Sequence, residues 1–210
     1  MNRRRSTLGA RISGRRSGQR FDADNKVVTE ALIFLGDLDP EAIGASIEHA
    51  THYEPTPLGD FAPLLGHVPF PLESATFLDV GSGMGRAVFL AASYPFRTVI
   101  GIEFSRALHE VAKENLARID RAGFACRDVR LVCADAASYR FPRGALVAYL
   151  YNPFDAAMLA TVLERLAAPP RRELAIVYHT PAERAVIEAR PVFELIAEEA
   201  AGAIYRLRKA

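Results

Sequence analysis

Three groups of residues in this sequence have the types and spacing to do chemistry. The first is Phe77-Leu78-Asp79-Val80-Gly81-Ser82-Gly83-Met84-Gly85-Arg86. Glycines at GxGxG spacing let a backbone turn tightly and approach a ligand that a Cβ would exclude. The spacing departs from the GxGxxG of dinucleotide binders. Asp79 also stands just before the first glycine, where a pyrophosphate would bring like charge. A sulfonium ligand with a free amino group suits that carboxylate; a diphosphate does not. The second group is Glu103, which ends the next apolar run. A carboxylate at that place can accept both hydroxyls of an adenosine ribose. The third comprises Tyr149-Leu150-Tyr151-Asn152-Pro153-Phe154 and, in Tyr178-His179-Thr180-Pro181, a histidine able to serve as a base or to tie its own loop.

These residues act together only if a frame gathers the ends of several strands. The hydropathy pattern predicts one. Apolar runs at Thr76–Val80, Thr98–Glu103, Val129–Cys133, Ala145–Tyr151 and Leu174–His179 alternate with helical stretches near Gly85–Ser93, Arg106–Arg121, Asp155–Ala167 and Ala182–Ala189. Two further runs, Val192–Ala197 and Ala203–Leu207, are close enough for an antiparallel hairpin. The expectation is an α/β fold: a doubly wound, mostly parallel, seven-stranded sheet with one antiparallel edge strand from the C-terminal hairpin. Ligands of such sheets bind outside the carboxyl ends of the strands, near the switch point. Upstream, residues 24–66 read as mostly helical. Val27, Val28, Ala31, Leu32, Phe34 and Leu35 recur at helix spacing, and Asp39 with Pro40 starts a second short helix toward Ala50. The two prolines of Thr51-His52-Tyr53-Glu54-Pro55-Thr56-Pro57 demand an extended or turning backbone.

Composition narrows the class. The 210 residues are 50% hydrophobic and 24% charged, enough to bury a core without staples. Cys126 and Cys133 are too few for a disulfide framework and are not spaced as a CxxC motif or a zinc knuckle. No apolar run has the length of a membrane span, so a reducing cytoplasm is expected. Residues 1–20 hold seven arginines and no acid, against 19 basic and 25 acidic residues in the remainder. Arg, Ser and Gly predominate there, which predicts a disordered basic arm. Nucleic acid is expected to bind only through that arm, since the body is acidic. Arg3 and Arg4 have no apolar stretch after them, so they do not read as an export signal. His49 and His52, beside Glu54, read as incidental, and no metal site is expected.

The stretch Asp79-Val80-Gly81-Ser82-Gly83-Met84-Gly85 resembles the first motif of the class I S-adenosylmethionine-dependent methyltransferases. Val99-Ile100-Gly101-Ile102-Glu103-Phe104-Ser105 resembles their second, and Cys133-Ala134-Asp135-Ala136 their third. The resemblance covers about Tyr53 to Ala210 and implies S-adenosylmethionine as cofactor. It implies that Asp79, Gly81, Ser82, Gly83 and Gly85 shape the methionine end, and that Glu103 holds the ribose. Phe104 would lie against the adenine, whose edge Asp135 and the Ala136 amide would read. It further implies a last strand inserted antiparallel.

Tyr151-Asn152-Pro153-Phe154 resembles the Asn/Asp-Pro-Pro-Tyr/Phe motif of amino-group methyltransferases with one proline missing. That likeness implies that Asn152 and a following carbonyl orient the target nitrogen while Phe154 packs over it. Tyr53-Glu54-Pro55-Thr56-Pro57 resembles a lead-in of bacterial methyltransferase-like proteins and, loosely, of the non-SET protein lysine methyltransferases. It implies a lid with Tyr53 near the methyl group. The organisation expected is a disordered arm over 1–20, a helical segment and lid over 21–72, and a cofactor-binding domain over 73–210. The function expected is methylation of a nitrogen on a protein or small-molecule acceptor. A non-catalytic S-adenosylmethionine-binding regulatory domain and an NAD-dependent oxidoreductase are the alternatives, the latter at odds with GxGxG and Asp79.

Overall fold

The computed structural model describes residues 15–34, 52–168 and 173–208. Seven strands form the main sheet: β3 (Thr76–Val80), β4 (Thr98–Glu103), β5 (Val129–Cys133), β6 (Leu146–Tyr151), β7 (Leu174–His179), β8 (Phe193–Glu199) and β9 (Gly202–Leu207). Their spatial order is β5-β4-β3-β6-β7-β9-β8. The first five are parallel, and β9 runs antiparallel to both of its neighbours. β3, β4 and β7 are buried at every position, as strands covered on both faces must be.

Helices α3 (Arg86–Ala92), α4 (Arg106–Arg118), α5 (Ala156–Ala167) and α6 (Arg184–Glu188) make the crossovers. Two have side-chain N-caps: Ser105 Oγ accepts from Leu108 N–H, and Asp155 Oδ1 from Met158 N–H. One face of the sheet packs Phe61, Phe77, Phe89 and Tyr149 together; the other packs Leu78, Leu150, Leu163 and Ile176. The direction of winding reverses between β3 and β6. Asp79 and Tyr149 are register partners there, so the carboxyl ends of the two strands flank the switch point.

The N-terminal third departs from expectation. Residues 15–25 form helix α1, although 15–20 were expected within a disordered arm; residues 1–14 lie outside the described residues. The helix expected over Val27–Leu35 is absent as far as Phe34. Residues 27–32 have no regular structure, and β1 (Ile33–Phe34) pairs antiparallel with β2 (His52–Tyr53). The physical reason is competition for backbone groups. Asp22 Oδ2 accepts from Thr29 N–H and Glu30 N–H, while the Asn115 amide bonds both the N–H and the carbonyl of Val28. The helix expected near 40–50 falls outside the described residues. Downstream, α2 (Leu58–Leu65) follows the two prolines. The antiparallel strand is also not the edge: β9 is second from it, and β8 is outermost.

Candidate active site

The loop after β3 takes a left-handed backbone that glycine adopts without steric cost. Gly81 and Gly83 have φ of 85° and 51°. A Cβ on Gly83 would stand 2.2 Å from the Tyr53 ring, so glycine alone lets that ring lie on the loop. Gly85 caps α3 and shapes the helix start instead of lining the cleft. The loop is locked to the end of β4. Gly81 N–H and Ser82 N–H both donate to the Ile102 carbonyl at 2.9 Å. Gly83 N–H donates to Glu103 Oε2 at 2.8 Å, and Ser105 N–H to Glu103 Oε1 at 2.8 Å.

Asp79 and Glu103 are thus brought side by side, both 4% exposed. Burial raises the Asp79 carboxyl from 3.8 to about 8, and the Glu103 charge adds to the rise. Burial likewise raises Glu103, to about 7, against the pull of the N–H groups of Ser105, Gly83 and Phe104. They share a cavity of about 160 Å³ with Tyr53, Thr56, Tyr151 and Asn152. A narrow arm of about 10 Å³ continues past Gly81 and Phe104, between Asp135, Ala136, Phe154 and Met158.

The N-terminal segment forms the outer wall. Tyr53 lines the cavity with its ring, but its hydroxyl donates to the Thr29 carbonyl at 2.7 Å. What Tyr53 offers the cleft is therefore a surface and not a free hydroxyl. Arg86, in the first turn of α3, holds this wall in place. Its guanidinium is 2% exposed and bonds Thr29 Oγ1 at 2.6 Å, Glu30 at 2.8 Å and Asp22 at 3.1 Å. It also lies over the Phe21 ring.

At the end of β6 the chain turns sharply. Asn152 has φ of 41°, and its Oδ1 is buried with no hydrogen-bond partner. Asn152 and Pro153 face the main cavity, but Phe154 does not. Phe154 turns into the opposite core and borders the narrow arm. With one proline between Asn152 and the aromatic residue, the left-handed turn swings the ring away. Tyr151 is the aromatic side chain of this motif that borders the main cavity.

These residues fit S-adenosylmethionine. Among the described residues neither buried carboxyl has a lysine or arginine partner, and burial favours their protonated forms; a sulfonium with an ammonium group would favour the ionised forms, which a pyrophosphate would disfavour further. The Gly83 cradle and the Glu103 carboxylate stand at the ends of adjacent strands, as a ribose requires. The base end is narrow, and a purine there must turn aside Phe104, Phe154 or the flexible Met158.

Residues 77–176 match the sequence model of a family described as a methyltransferase domain. That segment is matched as a methyltransferase domain, and the sheet that carries it has the class I methyltransferase fold. Solved structures share the fold at low identity. The inferred methyltransferase yhhF of Escherichia coli is 19% identical, with a TM-score of 0.56 over 74% of this chain and 92% of that one. TrmN from Thermus thermophilus is 20% identical, with a TM-score of 0.53 over 71% of this chain and 48% of that one. The 23S rRNA methyltransferase ErmE is 17% identical, with a TM-score of 0.50 over 73% and 68%. No protein of curated function matches the chain in sequence. The methyltransferase has no helix, among its described residues, long and apolar enough to cross a membrane.

Sequence reasoning gave no role of their own to Arg86, Thr56, Tyr149 and Tyr151, although each stands in one of the motifs above, and it did not name Asp60. Strand alternation holds a signal for the two tyrosines, which two-residue spacing on β6 puts on one face. Arg86 follows the glycine loop directly, but its partners come from a segment 56–68 positions away.

Proposed function

We propose that this methyltransferase acts in the cytoplasm on a nitrogen atom, the amine of a protein or small-molecule acceptor. One observation carries the reading: the buried, unpartnered Oδ1 of Asn152 at the switch point, on a left-handed residue that borders the cavity of Asp79 and Glu103. A buried acceptor without a donor costs about 1–3 kcal/mol. An acceptor-substrate N–H that bonds it recovers that cost and turns the nitrogen lone pair away from Asn152.

When bound, S-adenosylmethionine supplies an electrophilic methyl on a sulfonium leaving group. The chain's own task is placement. Asp79 and Glu103 fix the cofactor's charged and ribose groups, Tyr53 and Tyr151 exclude water, and Asn152 orients the nucleophile for in-line attack. The acidic lining favours an amine over an anionic acceptor.

Transfer of tritium-labelled methyl into a lysate from cells lacking the protein, followed by hydrolysis, tests the reading. Label in N-methyl amines is expected; label in methyl esters or carbon-bound methyl overturns it. Asn152→Ala is expected to keep cofactor affinity and lower kcat about 10²–10³-fold, because orientation acts in the transition state. Asn152→Asp, which retains an acceptor oxygen, is expected to keep part of the activity.

A further inference from the structure

A chain of buried hydrogen bonds leaves the cleft on the side away from the cofactor loop. Thr56, fixed between Pro55 and Pro57, lines the cavity and is 4% exposed. Its Oγ1 is 3.2 Å from the hydroxyl of Tyr149, which is 2.8 Å from His179 Nδ1. On the far side of the ring, His179 Nε2 is 3.3 Å from Asp60 Oδ2. Tyr149 and His179 are each 1% exposed, whereas the Asp60 side chain is 39% exposed and borders a second, open cavity. Tyr151 stacks on the imidazole with ring centroids 4.1 Å apart and holds its plane.

The direction of every bond follows from the outer end. A carboxylate only accepts, so Nε2 carries the hydrogen and donates to Asp60. Burial of His179 favours the neutral ring, which leaves Nδ1 as an acceptor. Tyr149 must then donate to Nδ1, and its oxygen is left to accept from the Thr56 hydroxyl. Thr56 Oγ1 in turn has a lone pair for a donor in the cleft.

We propose that Thr56, Tyr149, His179 and Asp60 form a proton outlet that carries the acceptor amine's proton from the transfer site to solvent. The inference rests on the nitrogen reading above. An alkyl amine is protonated at neutral pH and must lose one N–H proton before its lone pair attacks. In one concerted shift the acceptor N–H bond breaks as its proton joins Thr56 Oγ1. The Thr56 proton passes to Tyr149, the Tyr149 proton to Nδ1, and the Nε2 proton to Asp60, which exchanges with water. No charge stays on a buried atom. Hydroxyl rotation and return of the Nε2–H tautomer reset the path. Thr56 is the group that touches the acceptor; the other three act through it.

The groups that face His179 are Asp60 from α2, Glu54 from the segment after β2, and Tyr149 and Tyr151 from β6. Its partner on β9 is Gly202, and Glu199 at the rim of the outer cavity is engaged by His67.

Nitrogen-15 spectra of the full-length protein at neutral pH are expected to show His179 as the Nε2–H tautomer. Tyr149→Phe, which keeps the ring, and Thr56→Val, which keeps the volume, are each expected to slow tritium-methyl transfer into lysate protein about 10²-fold at pH 7. The deficit should shrink as pH rises and amines lose the proton unaided, with affinity for S-adenosylhomocysteine unchanged. Thr56→Ser, which restores the hydroxyl, should recover the rate. An Nδ1–H tautomer, or wild-type rates and pH profiles in both variants on an N-methylated product, overturns the outlet alone. Label on oxygen or carbon overturns the nitrogen reading and the outlet with it.

Discussion

Asp79 does its work at a cost to the empty protein, and the sign of that cost is testable. Its carboxyl ionises near 3.8 in the open chain and near 8 when buried, so the folded state keeps a proton that the unfolded state has released across that window. Stability from the protonated form is complete below the lower value and is lost as pH climbs toward the upper one. Glu103 adds to the same trend up to about 7. Cofactor-free protein is therefore expected to melt lower at pH 8 than at pH 5. Asp79→Asn should flatten that slope and raise the melting temperature at pH 8. The same substitution removes a charge-assisted contact, so calorimetry should show affinity for S-adenosylmethionine about 10–150-fold weaker. A variant that melts like wild type at pH 8 and binds like it would refute the role given to Asp79.

At the scale of elements, the glycine loop and the Tyr53 segment are shaped to each other. The loop hugs β4 through Ile102 and Glu103, and the Tyr53 ring occupies the space that a side chain at residue 83 would need. Gly83→Ala combines a left-handed φ with a carbon 2.2 Å from that ring. It is expected to destabilise the protein by about 1–3 kcal/mol and to lift the Tyr53 wall. Thermal melts and cofactor affinity should fall together. Pairing Gly83→Ala with Tyr53→Ala should recover part of the loss if the clash dominates, and a double-mutant cycle measures how much.

At the scale of the molecule, α1 and the segment after it are part of the folded body, because Arg86 is a buried cation whose partners, among the described residues, come from them. Asp22 and Glu30 are the carboxylates that neutralise it. Removing residues 1–25 deletes Asp22 and Phe21 and leaves the guanidinium short of partners, a loss of about 3–5 kcal/mol by the measure of broken buried pairs. Removing only residues 1–14, which are rich in Arg and Ser and poor in large apolar side chains, should leave the melting temperature unchanged. Equal melts for the two deletions would show that Arg86 is satisfied without α1.

Much of the sheet domain was legible because its signals are local. Apolar runs of strand length and helices between them sit within three residues of where periodicity puts them, from Thr76–Val80 to Leu174–His179. The GxGxG spacing, Asp79 and Glu103 declared a ligand at the ends of two adjacent strands, since turn geometry and charge are written in neighbouring residues. The N-terminal third was misread for the opposite reason. Whether Val27–Phe34 coils into a helix is decided by Asp22 and Asn115, which seize its backbone groups across 7–8 and 87 positions. The Asn-Pro-Phe turn divides the same way. Its place at the end of β6 follows from pattern, whereas the swing of Phe154 into the far core depends on the left-handed φ of Asn152 and on which cavity packs better. Only the folded sheet sets Tyr149 beside His179 and His179 against Asp60, because residues so far apart in the chain meet through register, which no local pattern encodes.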